Sequence, residues 1–93
     1  MFTPFVTNKD PDEILDYGFD WNKRLTGGDT ISASTWIIPT GLTQDRASTF
    51  TQTATTIWLA GGTEGQTYEL INRVTTTAGR VMDKTATLTI ESK

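Results

Sequence analysis

Residues 61–80 read GGTEGQTYELINRVTTTAGR. Gly61, Gly62 and Gly65 crowd a loop, and Tyr68 opens an alternating polar/apolar run. Thr77-Ala78-Gly79 then marks a second turn. Glycine reaches positive φ at little cost, so it suits sharp changes of chain direction. An alternation of period two is the mark of a strand with one dry face and one wet face. The stretch therefore reads as a corner where a chain leaves one sheet and enters another. A tyrosine just past such a corner can hydrogen-bond back to the backbone upstream. A phosphate-cradling loop is the competing reading, but it needs a helix N-terminus after the glycines, and residues 68–74 alternate as a strand.

The same period extends in both directions. Leu15, Tyr17, Phe19 and Trp21 share one parity, with Asp16, Gly18 and Asp20 on the other. Further strands are expected at about 30–38, 42–51, 53–59, 68–76 and 80–91, and in the last of these Ala86, Leu88 and Ile90 share a face. The one helix-like signal is Asp10-Pro11-Asp12-Glu13, where Glu13 can reach back to the cap, and it amounts to a single turn. Threonine makes up 20 of 93 residues. It is β-branched and fits a pleated, half-exposed surface. The fold class expected is all-β: an immunoglobulin-like or fibronectin-type-III-like antiparallel β-sandwich of six to seven strands. Residues 10–93 form one domain, and residues 1–9 precede it as an arm.

Composition removes much chemistry. The chain has no cysteine and no histidine. Serine–histidine and cysteine–histidine nucleophile pairs are excluded, as are the common zinc sites. No cofactor is expected, and an enzyme is not. The net charge is −3, and no basic patch points to nucleic acid. No apolar run approaches the ~20 residues of a spanning helix. The start of the chain lacks the features of a secretory signal, so the protein is expected to stay off that route.

Several strings together resemble a known family. Lys9-Asp10-Pro11-Asp12-Glu13-Ile14-Leu15-Asp16-Tyr17 leads to Asp20-Trp21, and Gly28-Asp29-Thr30-Ile31 leads to Ser34-Thr35-Trp36. Ile57-Trp58-Leu59 precedes Gly61-Gly62, and Tyr68 precedes Asn72-Arg73-Val74-Thr75-Thr76. This is similar to small virion proteins of tailed bacteriophages, the fibre–tail adaptors, over about residues 8–91. The resemblance implies a virion structural protein with an immunoglobulin-like sandwich, assembled in the host cytoplasm, and it carries no catalytic residues.

Individual residues sharpen the expectation. Trp21 has core parity. Trp36 has the opposite parity from Ile31, Ala33 and Ile37. Either it faces out, or a bulge switches parity, or it fills the inter-sheet position while Ile31 and Ala33 face out; we read it as core. Trp58 alternates against Ile57 and Leu59, and both orientations stay open. Asn72 shares parity with Tyr68, Leu70 and Val74, so its amide needs hydrogen bonds to backbone groups. Asp10, Asp12, Glu13, Asp16 and Asp20 lack calcium-loop spacing. Phe2, Phe5 and Val6 either fold back on the sandwich edge or dock on a partner, and docking is the reading taken. The candidate partner interface is thus Phe2, Phe5, Val6 and Trp58. The partners expected are other virion proteins (tail hub, tail fibre or capsid) and further copies of the chain in a symmetric assembly. The alternatives are a capsid decoration protein and a carbohydrate-binding module that stacks sugars on Trp36 or Trp58.

Overall fold

In the computed structural model, the backbone of Thr3–Pro4 and residues 9–91 are described. The strands are β1 (Thr3–Pro4), β2 (Leu15–Asp20), β3 (Ile31–Ile37), β4 (Leu42–Phe50), β5 (Ala54–Gly61), β6 (Thr67–Thr76) and β7 (Val81–Thr89). Two 3₁₀ turns, Asn22–Arg24 and Thr26–Gly28, connect β2 to β3. The sheets have the orders β1-β2-β5-β4 and β3-β6-β7. All pairings are antiparallel except that of β1, which runs parallel to β2. This all-β sandwich has the same neighbour order as the ABED and CFG sheets of a constant-type immunoglobulin domain, apart from the direction of β1.

The helix-like signal at Asp10 is a single turn. Glu13 Oε1 accepts the Asp10 amide at 2.8 Å, and the Glu13 amide donates to the Asp10 carbonyl at 3.0 Å. Glu13 thus reaches back as expected, while the Asp10 carboxylate accepts the Asp12 amide rather than that of Glu13, and the chain then enters β2, where alternation makes a strand the better way to bury Tyr17.

Alternation decides which side chains meet. Tyr17, Leu42, Ile57, Leu59, Leu70, Leu88 and Ile90 form one buried cluster, and Trp21, Leu25, Ile31 and Val74 form a second. Full burial of each aliphatic side chain contributes about 1.5–3 kcal/mol relative to exposure. A β-bulge between Ile31 and Ala33 shifts the register of β3. Ile31 is therefore buried, and beyond the bulge the inward parity passes to Ser34 and Trp36. The outward reading of Trp36 fails for this reason. Its ring lies stacked on Phe19 at 5.6 Å and 9°.

The interior between the sheets holds a polar knot. Asn72 Oδ1 accepts from Trp21 Nε1 at 3.0 Å and from the Thr55 hydroxyl at 2.6 Å. Its Nδ2 donates to Ser34 Oγ at 3.0 Å and to the Thr35 carbonyl at 3.1 Å. The amide makes four bonds, of which one goes to backbone. Sequence reasoning anticipated that bond and missed the other three.

The corner of residues 61–68 behaves as the alternation required. Tyr68 Oη accepts the Thr63 amide at 3.0 Å. Gly41, with φ +107°, gives the ring its space: a Cβ there would sit 2.8 Å from Tyr68 Cε1. Lys9 is fully buried beside this corner. Its ammonium donates to the Gly61 carbonyl at 2.7 Å and the Asp10 carbonyl at 2.9 Å. Its backbone forms a parallel bridge to Ile90. On β7, Lys84 has inward parity and lays its ammonium over the rings of Phe19 and Trp21, at 5.2 Å and 5.3 Å.

Candidate partner interface

β5 is a central strand, and its parity fixes two opposite environments. Thr55, Ile57 and Leu59 are buried, so Trp58 points out of the four-stranded sheet and is half-buried there. Both neighbouring strands contribute to its row: Asp16 of β2 stands on one side and Arg46 of β4 on the other. β4 is an edge strand with two register shifts, one on each side of Arg46. Bulges of this kind re-aim side chains. The Arg46 guanidinium lies 4.1 Å from the centroid of the Trp58 ring. Asp45 holds it there, through Nε at 2.7 Å and Nη2 at 2.6 Å. A cation over an indole face is favourable, and the stack leaves one large, partly rigid contact element on the outer face.

The four predicted interface residues are not brought together among the described residues. Phe2, Phe5 and Val6 lie outside them. Thr3 and Pro4, between these residues, pair with Tyr17 and Gly18 along the edge of β2. That is the fold-back arrangement considered above, for these two residues. Trp58 alone is placed, and its environment includes two partners that sequence reasoning missed. The bulges that deliver Arg46 have no signature in the polar run of 42–51.

Asp10, Glu13 and Asp20, among the acidic residues of the first twenty, serve turns. Asp10 Oδ1 accepts the Asp12 amide at 2.9 Å, and Asp20 Oδ1 accepts the Asn22 amide at 2.9 Å. Among the described residues, no three such side chains come together to hold a metal ion.

A shallow groove of about 350 Å³ lies where the β2–β3 connection meets the β6–β7 turn, lined by Thr26, Asp29, Thr30, Thr77 and Arg80 among others. Asp29 is its anchor, with a side chain only 4% exposed. Oδ1 accepts the Thr30 amide at 2.9 Å and the Ala78 amide at 3.1 Å, and Oδ2 lies 3.6 Å from Arg80 Nη1. A bond from the Thr76 hydroxyl, then the Ala78 and Thr30 amides and the Arg80 charge, hold the carboxyl below the usual range; burial opposes them. Asp29 clamps the β2–β3 connection to the β6–β7 hairpin. The turn at 26–29 was legible, but the clamp across it was not.

These features define a small two-sheet β module whose buried polar groups are structural and whose outer face carries an aromatic–cationic patch. The chain belongs to the family described as podophage GP4 fiber-tail adaptor protein gp77, whose family model matches residues 9–89. The resemblance drawn from the sequence thus holds over nearly the whole domain, and the family is one of structural adaptors of phage tails. No match is found among curated proteins.

Proposed function

We propose that this chain is a non-enzymatic part of the virion that joins the tail fibre to the tail, using an immunoglobulin-like sandwich as a rigid spacer. The observation that carries the reading is the Arg46–Trp58 stack on the outer face of the four-stranded sheet, in a member of an adaptor family. Tryptophan and arginine dominate the energetics of protein contacts when water is excluded around them. The sandwich supplies a stiff mount, and Asp45 pre-sets the arginine, which lowers the ordering cost of docking. Copies in a symmetric tail would add avidity. Phe2, Phe5 and Val6 serve as a second contact, next to the pairing of Thr3–Pro4 with β2.

The sugar-platform alternative loses its support in this geometry. Trp36 is packed on Phe19, and Arg46 occupies one face of Trp58.

The test is binding of the purified chain to the tail-fibre and tail proteins of the same phage. Trp58→Ala and Arg46→Ala should each weaken one of the two associations about tenfold or more. Deletion of residues 1–7 should weaken assembly and leave the domain folded. Undiminished binding by both single variants and by the truncated chain would refute the assignment of these contacts.

A further inference from the structure

The charges of the chain are sorted along the sandwich. One end is closed by bonds from the Gly62 amide to the Gly41 carbonyl at 3.0 Å, from the Gly65 amide to the Ile90 carbonyl at 2.8 Å and from the Lys9 amide to the Thr89 carbonyl at 3.1 Å. Asp10, Asp12, Glu13, Asp16, Glu64 and Glu91 stand at this end or next to it. Among the described residues, Lys9 is the one cation there, and it is fully buried with its ammonium on the Asp10 and Gly61 carbonyls. The remaining cations are engaged as well. Arg46 lies between Asp45 and the Trp58 ring, Arg73 pairs with Asp83 and Arg80 with Asp29. Arg24 and Lys84 lie over Trp21. Among the described residues, Lys23 alone has no such contact.

Asp16 is where the surplus of negative charge meets the outer face of the four-stranded sheet. It stands opposite Trp58 in the β2–β5 pairing. Such cross-strand partners hold their Cβ atoms about 4.5–5.5 Å apart. Asp16 is half-buried, and its carboxylate has no hydrogen bond or ion pair among the described residues. Arg46, on the other side of the indole, already has Asp45. Ile14, two residues before Asp16, is 49% exposed. A molecule that covers the indole therefore also takes water from Asp16. A carboxylate dried without a counter-charge is costly, and a cation brought by the partner offsets much of that cost.

We infer that the Trp58 face accepts a protein segment carrying lysine or arginine beside an apolar side chain, with the cation on Asp16 and the apolar group on Trp58 and Ile14. The inference rests on the adaptor reading only for which proteins bring such a segment. A second copy of the chain does not fit, because its own cations are already held. The other carboxylates at this end extend the attraction beyond contact, so they speed the encounter and orient it.

Binding of the full chain to the tail-fibre and tail proteins of the same phage, followed at low and high salt, tests this. Asp16→Lys should weaken the association that Trp58→Ala weakens by about tenfold or more, and Asp16→Asn should weaken it less. Raising salt from about 50 to about 500 mM should weaken it too. Glu69→Gln, on the other sheet, should leave it unchanged. Should Asp16→Lys disturb the near-ultraviolet circular dichroism, Asp16→Asn decides. Association that Trp58→Ala weakens, but that neither Asp16 variant nor salt affects, overturns the inference and leaves the adaptor role standing. Absence of binding to both proteins overturns the adaptor role, and the inference is then decided by nuclear magnetic resonance with two short peptides. One alternates lysine with valine, the other glutamate with valine. The lysine peptide alone should shift the Trp58 indole N–H saturably, and Asp16→Lys should abolish the shift. Equal shifts from both peptides, or none from either, overturn the inference.

Discussion

The indole Nε1 of Trp21 donates to Oδ1 of Asn72 at 3.0 Å across the gap between the two sheets. Trp21 follows the end of β2 and Asn72 lies within β6, so one bond ties the sheets together deep in the core. Asn72→Leu keeps volume but removes the acceptor of the Thr55 hydroxyl and the nearer acceptor of the Trp21 N–H, which keeps only its 3.3 Å bond to Thr55 Oγ1. Each buried group left unpaired costs about 1–3 kcal/mol. Urea unfolding should show a loss of at least about 2 kcal/mol with an unchanged denaturant slope. A loss within about 0.5 kcal/mol, the range of an ordinary surface substitution, would refute the role given to the knot.

Gly41 and Tyr68 share a contact that leaves no room for a methyl group. The Cβ of an alanine would approach the Tyr68 hydroxyl oxygen to 2.9 Å. Gly41→Ala should destabilise the domain by about 2 kcal/mol, from positive-φ strain and displacement of the ring. Tyr68→Phe removes the bond from the Thr63 amide and should cost about 1 kcal/mol. Thermal or urea unfolding of the double variant should show less than the sum, because both changes disturb one corner.

Tyr17 sets an alkaline limit. Burial, then the charges of Glu13 and Asp16, push its phenol up to about 12. The unfolded phenol titrates near 10. Between these values the unfolded chain has lost the proton and the folded chain retains it. Stability is thus fully present below about pH 10 and falls as pH rises toward 12. Urea midpoints measured from neutral pH upward should drop in that window. Tyr17→Phe should flatten the drop, and an identical alkaline limb in both proteins would exclude Tyr17 as its source.

Asp29 sets the acid limit with the opposite sign. Its folded carboxyl titrates below the ~3.9 of an unfolded aspartate. The stabilisation is present above about pH 4 and is lost as pH falls through the folded value. Asp83, held low by the Arg73 hydrogen bond and charge, acts in the same direction from a more exposed position. Asp29→Asn should be less stable at neutral pH and show a shallower acid decline. A decline as steep as that of the wild type would place the acid sensitivity elsewhere.

What the sequence disclosed follows from how far each signal reaches. The strand limits were legible, because alternation at Leu15, Tyr17 and Phe19 or at Ala86, Leu88 and Ile90 is written into neighbouring residues. The corner was legible, because Gly61, Gly62 and Tyr68 lie within one turn. The inward position of Trp36 depended on a bulge at Ile31 and Ala33, and a bulge leaves no mark in composition. The Arg46 stack on Trp58 has the same cause. Lys9 gave no hint of burial, since the carbonyl of Gly61 that accepts its ammonium lies 52 residues away. The Asp29 clamp likewise needs the β2–β3 connection to meet the β6–β7 hairpin, and only the folded chain brings Ala78 to it.

Lys84 bears on how the free edge of β7 is guarded. It belongs to an outermost strand, yet its charge is tucked beneath the rim, over Phe19 and Trp21. Its ammonium also donates to the Asp20 carbonyl at 3.3 Å, and an inward-pointing charge of this kind on an edge strand opposes the addition of a further strand. Edge-to-edge addition of another strand along β7 is therefore disfavoured.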